Sequence, residues 1–286
     1  MAIQMEIEVL RNRRLLWILV KRDFKTRYAG SVIGVLWSVI NPLLMLAIYV
    51  TVIGFILGGG RYGSGDAHAF RESFAVFLCC GLWPWMCVCE SLMGATNSIT
   101  ANSSLIKKSV FPMAILPVQA LVSAFINFFI TFSLFLLVLA GLQVFGGRDY
   151  LGLPALLLPL LFAIQFCLLV GFSLLVATIN VFFRDMAQIL NSFLMIGFWI
   201  TPIIYNPADT ELRARMANYP DFLLGFDYWV LINPFAHLVG LYQAVCWDNV
   251  WPSWISIVYL LGLGAIGYIV GKYLFTRSQV HFVDDI

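Results

Sequence analysis

Two stripes of side chains in an otherwise apolar chain carry groups that could handle a polar molecule. Trp37, Asn41, Met45 and Tyr49 recur every four residues, as do Gln119, Ser123, Asn127 and Thr131. On a helix each set shares one face. They offer amides, hydroxyls, a thioether and aromatic rings, which means hydrogen bonds and ring faces without fixed charge. Within lipid such groups must turn toward protein or water. Each stripe therefore either lines a polar path or hydrogen-bonds to a neighbouring helix. Pro42 loosens the first stripe's helix, because proline has no amide hydrogen to donate and crowds the preceding turn. Glu90 is the one carboxylate inside an apolar run, close to the run's end. That position suits an interfacial or ion-paired role better than proton coupling, which would place it at mid-membrane. Covalent and metal chemistry finds little support. His68, His237 and His281 are scattered, and the six cysteines show no C-x-x-C pair and read as small buried hydrophobes. No G-x-x-x-x-G-K-[S/T] loop occurs that could cradle the phosphates of ATP.

The elements that must position these groups are lipid-spanning. Of 286 residues, 61% are hydrophobic and only 11% charged, and the mean hydropathy is +0.90. A water-soluble fold cannot hide that much apolar surface. The net charge of +2 is too small to argue for nucleic acid. Apolar runs long enough for the ~30 Å hydrocarbon layer, which takes ~20 helical residues, recur along the chain. The pattern predicts an all-α integral membrane protein, one domain over 1–286, with six transmembrane helices at about 32–57, 74–93, 118–142, 151–181, 187–205 and 254–275. Residues 226–247 are apolar enough to suggest a seventh, but Asn233-Pro234, His237 and Gln243 interrupt them. They read instead as a re-entrant or interfacial pair of short helices in the external region 206–251, with Trp229, Trp247, Trp251 and Trp254 as an interfacial belt. Before the first span, Leu16, Val20, Phe24 and Tyr28 recur every four residues beside Trp17, amid basic residues. This predicts an amphipathic interface helix over 10–28, lying on membrane lipid.

Orientation follows from the excess of lysine and arginine in cytoplasmic segments. With the N-terminus inside, twelve of the seventeen basic residues fall on that side: seven between Arg11 and Arg27, then Lys107, Lys108, Arg184, Lys272 and Arg277. Both termini are expected in the cytoplasm. The basic, interrupted stretch from Arg11 to Arg27 does not read as a cleavable signal.

Several blocks in this frame match one family. They are Lys21-Arg22-Asp23-Phe24-Lys25-Thr26-Arg27-Tyr28, Leu36-Trp37-Ser38, Asn41-Pro42-Leu43, Leu105-Ile106-Lys107-Lys108, Phe111-Pro112, Phe183-Arg184-Asp185, Trp199-Ile200-Thr201-Pro202-Ile203-Ile204-Tyr205 and Asn233-Pro234. The chain resembles the type-2 ABC-transporter permeases that export O-antigen, capsule and teichoic acid polymers. The resemblance implies a permease subunit, not an enzyme, in a bacterial inner membrane. A second copy of itself and two copies of a cytoplasmic ATPase would be its partners, with ATP and magnesium bound on the ATPase and no cofactor in this chain. It implies a lipid-linked polysaccharide substrate, with teichoic acid, a drug or a small lipid as the rival cargo. It also places an ATPase-coupling helix in the loop 97–110, at Ser103, Ser104, Leu105, Ile106, Lys107 and Lys108. Leu105 and Ile106 are apolar residues on a cytoplasmic loop, which a partner groove or the bilayer interface would explain. A sugar polymer needs rings to stack on and neutral groups to hydrogen-bond, which makes Trp37, Asn41, Met45, Tyr49, Ser123 and Asn127 the expected path residues. The interface helix, through Trp17, Phe24 and Tyr28, would brace the same ATPase.

Overall fold

The computed structural model describes residues 4–27, 31, 33–49, 51–52, 67–108, 112–146, 149–208, 213, 217 and 220–282. Tyr28, the far end of the first predicted span and residues 109–110 of the coupling loop lie outside them. Among the described residues there is no strand. Helices α1 (Gln4–Arg11) and α2 (Arg13–Arg27) share a hydrogen-bond ladder, because the Asn12 amide donates to the Glu8 carbonyl at 3.0 Å. A 3-10 turn at Gly34–Leu36 leads into α3 (Trp37–Tyr49), followed by α4 (Ala67–Ser98). A second such turn, Thr100–Asn102, precedes the short α5 (Ser103–Lys108). Then come α6 (Ile115–Gly146), a 3-10 segment Leu153–Leu157, α7 (Leu158–Phe182) and α8 (Met186–Ile200). Helices α9 (Pro220–Ile232), α10 (Pro234–Cys246) and α11 (Trp254–Ser278) complete the order.

Among the described residues, four segments are long and apolar enough to cross a membrane: Phe74–Ser98, Ile115–Phe145, Leu153–Phe182 and Trp254–Ser278. They coincide with the second, third, fourth and sixth predicted spans. The other two predicted spans correspond to shorter apolar helices, α3 and α8, of 13 and 15 residues. At 1.5 Å per residue α8 reaches about 22 Å, less than the hydrocarbon core, and the described part of α3 about 20 Å. Helix α8 stops at Ile200, before the predicted end at 205, because Thr201 turns extended with ψ 135°. Pro202 follows it, and the residue before a proline is driven out of the helical region. The fourth span opens as 3-10 helix over Leu153–Leu157 before α7 begins. The segment 226–247 forms two helices bent by 79° at Asn233-Pro234, the shape of either a broken span or the re-entrant pair expected from the sequence. Asn233 holds the corner: its Oδ1 accepts from the Phe235 amide at 3.0 Å, and its Nδ2 donates to Thr201 Oγ1 at 3.1 Å.

Helix α4 is the centre of the bundle, wrapped by α6, α7, α8 and α10. Its core face packs Phe77, Leu78, Trp85 and Val88 against Phe128, Leu168, Phe198 and Tyr242. Backbone and side-chain polar groups with no water nearby must be satisfied within the protein. Accordingly, Gln165 of α7 donates to the Pro84 carbonyl at 3.1 Å and accepts from the Tyr242 hydroxyl at 2.7 Å. Asn180 donates to the Thr96 carbonyl at 2.9 Å. Helices α7 and α11 form the most extensive pairing. Gly171 meets the backbone of Gly267 there, and Gly271 meets that of Gly171, so closely that a Cβ at either would overlap main chain. Close approach through small residues is how lipid-embedded helices gain contact without a hydrophobic driving force. Cys79, Cys80, Cys87 and Cys246 are buried as expected, whereas Cys167 is exposed on α7.

Candidate translocation cavity and coupling segment

Between α3, α4 and α6 lies a cavity of about 230 Å³. Helix α3 contributes Trp37, Ser38, Asn41 and Pro42; α4 contributes Trp83, Met86, Cys87 and Glu90; α6 contributes Asn127, Phe128 and Thr131. Steps of three and four residues put each group on one helical face. Arg27, the last residue of α2, closes one side. Its guanidinium is shared: Nε lies 2.9 Å from Asp23 Oδ2, one turn back, and Nη1 pairs with Glu90 Oε1. The same Glu90 oxygen accepts from Asn127 Nδ2 at 2.6 Å. Thr131 Oγ1 in turn donates to the Asn127 carbonyl at 2.9 Å. A carboxylate inside an apolar helix thus has a cation and an amide donor, the arrangement that a buried charge requires. Among the lining residues, Trp83 Nε1 and Asn127 Oδ1 are buried and have no hydrogen-bond partner among the described residues.

The structure brings Trp37, Asn41 and Asn127 together at this cavity and leaves three other predicted path residues elsewhere. Met45 is exposed on the outside of α3, and Tyr49 stacks on Phe198 of α8 with ring centroids 5.3 Å apart. A four-residue step overshoots a 3.6-residue turn by about 40°, so a stripe that begins at the cavity walks away from it within two turns. Ser123 is fully buried and accepts from Gln119 Nε2 at 3.2 Å, packed inside the bundle. Arg27, Trp83, Met86, Cys87 and Phe128 were not anticipated as wall residues. The three- and four-residue spacing of Trp83, Cys87 and Glu90 was the signal that could have found the α4 face.

At the end of the bundle where α4 meets α6, Ser103 to Lys108 do form a short helix, α5. Its apolar pair divides. Ile106, only 4% exposed, packs with Leu19, Ile99, Ile115 and Phe275. It belongs to the subunit's own core and is not offered to a surface, because one and a half helical turns have room for an inward face. Leu105 and Ser103 are half-buried, and Ser104 and Lys107 are exposed. The interface helix shows a similar division. Leu19 and Val20 are buried, and α2 packs on α6, so part of the predicted lipid-facing stripe is used for protein contact. Phe24 is half-buried, while Trp17 remains exposed with Lys21 Nζ 5.9 Å over its ring. Arg22 Nη2 donates to Asn102 Oδ1 at 2.6 Å, tying α2 to the turn that leads into α5.

Known proteins share this chain's sequence over nearly its whole length. An O-antigen export system permease protein named RfbA from Klebsiella pneumoniae is 28% identical over 275 residues, 94% of each chain. A protein of the same name from Myxococcus xanthus is 26% identical over 285 residues, 98% of each. The polysialic acid transport protein KpsM of Escherichia coli is 24% identical, covering 90% of this chain and 91% of its own. The profile of the family described as ABC-2 type transporter matches residues 14–245, and with several apolar helices long enough to span a bilayer, this chain is a multi-pass membrane protein of the ABC-2 type transporter family.

Proposed function

We propose that the chain is the membrane subunit of an ATP-driven exporter that moves a lipid-linked polysaccharide, of O-antigen or capsule type, out of the bacterial cytoplasm. The observation that carries this reading is the cavity itself. Trp37, Asn41, Trp83 and Asn127 face a common space with rings and neutral polar groups, and its one carboxylate is neutralised by Arg27. Similarity along nearly the whole chain, at 26–28% identity, to permeases named for O-antigen export supports the same substrate. In this reading α3 and α8 complete six crossings, locally thinned lipid and snorkelling flanks accommodating the short α8. Both termini face the cytoplasm, where positive charge collects. Two copies of the chain enclose the path, and two copies of a separate ATPase bind ATP and magnesium. Each ATPase contacts Ser103, Ser104, Leu105, Lys107 and Lys108, with Trp17 and Phe24 of α2 anchoring the same region at the lipid surface. The bent α9–α10 pair lies toward the external face and controls the exit.

Deleting the gene and fractionating the cells tests the substrate. Long-chain polysaccharide is expected to accumulate in the cytoplasm and to return to the surface with the wild-type chain but not with Leu105→Asp. An unchanged surface polymer in the deletion strain would sink the substrate and point to a drug or small lipid.

A further inference from the structure

Helices α1 and α2 turn one face toward the bundle and leave another uncovered. Leu19 and Val20 are buried, and Val9 and Leu16 pack against the same core. On the uncovered side Ile7 is 54%, Leu10 70%, Trp17 51% and Ile18 61% exposed. Arg14, Lys21 and Lys25, also exposed, fall among them at steps of three and four residues, so apolar and cationic groups share one stripe along the continuous ladder. From Ile7 to Lys25 the stripe runs about 27 Å. None of its three cations makes an ion pair among the described residues. From Gln4 to Arg27 the chain sets seven basic residues against Glu6, Glu8 and Asp23. Glu6 turns to Tyr268 and Lys272 of α11, and Asp23 pairs with Arg27, which leaves Glu8, off the stripe, as the exposed carboxylate. We infer that this stripe binds the phosphate headgroups of anionic phospholipids in the cytoplasmic leaflet. The inference rests on the lipid-surface position proposed for α2 and adds the class of lipid that holds it there.

Apolar side chains exposed to water gain by entering a bilayer interface, and a helix that carries them along one stripe can lie in the plane of that interface. The flexible stems of Arg14, Lys21 and Lys25 let their charges reach the phosphate level while Trp17 and Ile18 sit among the first acyl carbons. A phosphatidylcholine headgroup pairs its phosphate with its own ammonium and gives the stripe no net attraction. A headgroup of net negative charge does attract it, and each lysine or arginine close to such a surface strengthens binding about fivefold. Charge complementarity therefore selects anionic lipid. An acidic groove on the ATPase is the other way to cover cations, but the side of α2 nearest the proposed ATPase contact is a different one. Arg22, which reaches Asn102 beside α5, projects from the helix about 100° away from Lys21. Headgroups bound along the stripe would also fix the rotation of α2, the helix that delivers Arg22 to Asn102 and Arg27 to Glu90.

The full chain can be placed in nanodiscs of phosphatidylcholine alone or of an equimolar mixture with phosphatidylglycerol, and amide hydrogen–deuterium exchange followed by mass spectrometry over the peptides that cover α2. Phosphatidylglycerol is expected to slow exchange there by about fivefold or more, the effect of one cation at the surface, and high salt to abolish the difference. Arg14→Gln/Lys21→Gln/Lys25→Gln should bring the two bilayers to the same rate, and Lys21→Arg/Lys25→Arg should keep them apart. Arg184→Gln removes an exposed cation between α7 and α8 and should leave the difference unchanged. Equal exchange of the wild type in both bilayers, slower than in detergent, overturns the inference and keeps α2 at the lipid surface. Exchange as fast in both bilayers as in detergent removes the lipid-surface reading as well, and slowing by an added ATPase subunit would then make the stripe a protein face. A difference that survives the triple variant also overturns the inference, because the three cations would not be its cause.

Discussion

Glu90 is the residue on which the cavity's electrostatics turn. Its side chain is 29% exposed and that of Arg27 30%, so each charge depends on the other for much of its solvation. Removing one member strands its partner. Arg27→Gln should cost about 2 kcal/mol of stability, in the range for charged hydrogen bonds, and less in a Glu90→Gln background, where that carboxylate is no longer stranded. Thermal unfolding of the four chains in the same detergent measures this; equal costs in the two backgrounds would show that the pair does not interact. Tyr242 makes a neutral comparison. Its hydroxyl is fully buried and donates to Gln165 Oε1, so Tyr242→Phe leaves an unsatisfied acceptor and should lower stability by about 1–2 kcal/mol. At this scale the sequence was partly legible. Asn127 and Glu90 stood out as polar residues in apolar runs, whereas Trp83 did not, because a tryptophan in a membrane helix is ordinary until its N–H is found without a partner.

Among the elements, the α7–α11 crossing depends on absent side chains. A Cβ at Gly171 would lie 2.3 Å from the main chain of Gly267 and Tyr268, while one at Gly262 would meet nothing within 4 Å. Gly171→Ala should therefore force the helices apart at a cost of about 3 kcal/mol, and Gly262→Ala should be neutral. The fraction of monodisperse protein surviving detergent extraction and heating separates the two. Helix α1 is held differently, by Glu6, which accepts from Tyr268 and Lys272 of α11. Burial pushes the Glu6 carboxyl up, but the hydrogen bonds from Lys272 and Tyr268 outweigh it and hold it below its ordinary value of 4.5. A depressed folded value means the tie is fully present above pH 4.5 and is lost only as pH falls through the lower folded value. Tryptic cleavage at Arg11 and Arg13, normalised at each pH to cleavage of an unstructured peptide, should accordingly be unchanged between pH 8 and pH 6 in the wild type and faster throughout in Glu6→Gln. Element positions were largely legible because runs of apolar residues of spanning length have few alternatives in lipid. Their ends were less so, since Thr201-Pro202 and Leu153-Pro154 act on local backbone within an unbroken apolar run.

Across the whole molecule, α2 touches both the cavity and the segment proposed to contact the ATPase. Arg22 bonds Asn102 beside α5, and Arg27, five residues on, pairs with Glu90 at the cavity. A displacement of α5 by a bound ATPase would be carried along this one helix to the wall that holds Asn127. Asn102→Ala should then lower export in reconstituted vesicles several-fold while ATP hydrolysis by the complex continues; equal loss of both would mean that the residue serves assembly alone. By itself the sequence determined that the chain lives in lipid, that it is helical, and that it carries no G-x-x-x-x-G-K-[S/T] motif. Those properties are set by composition and by distances along the chain. Only the tertiary structure decided that Ile106 faces inward, that the Trp37 stripe leaves the cavity after Asn41, and that Arg27 reaches Glu90 across 63 positions. Those outcomes depend on which helices become neighbours and at what rotation, and in a chain whose faces are nearly all apolar, hydrophobic pattern cannot choose among rotations. Glycine contacts and a few buried polar partners make that choice.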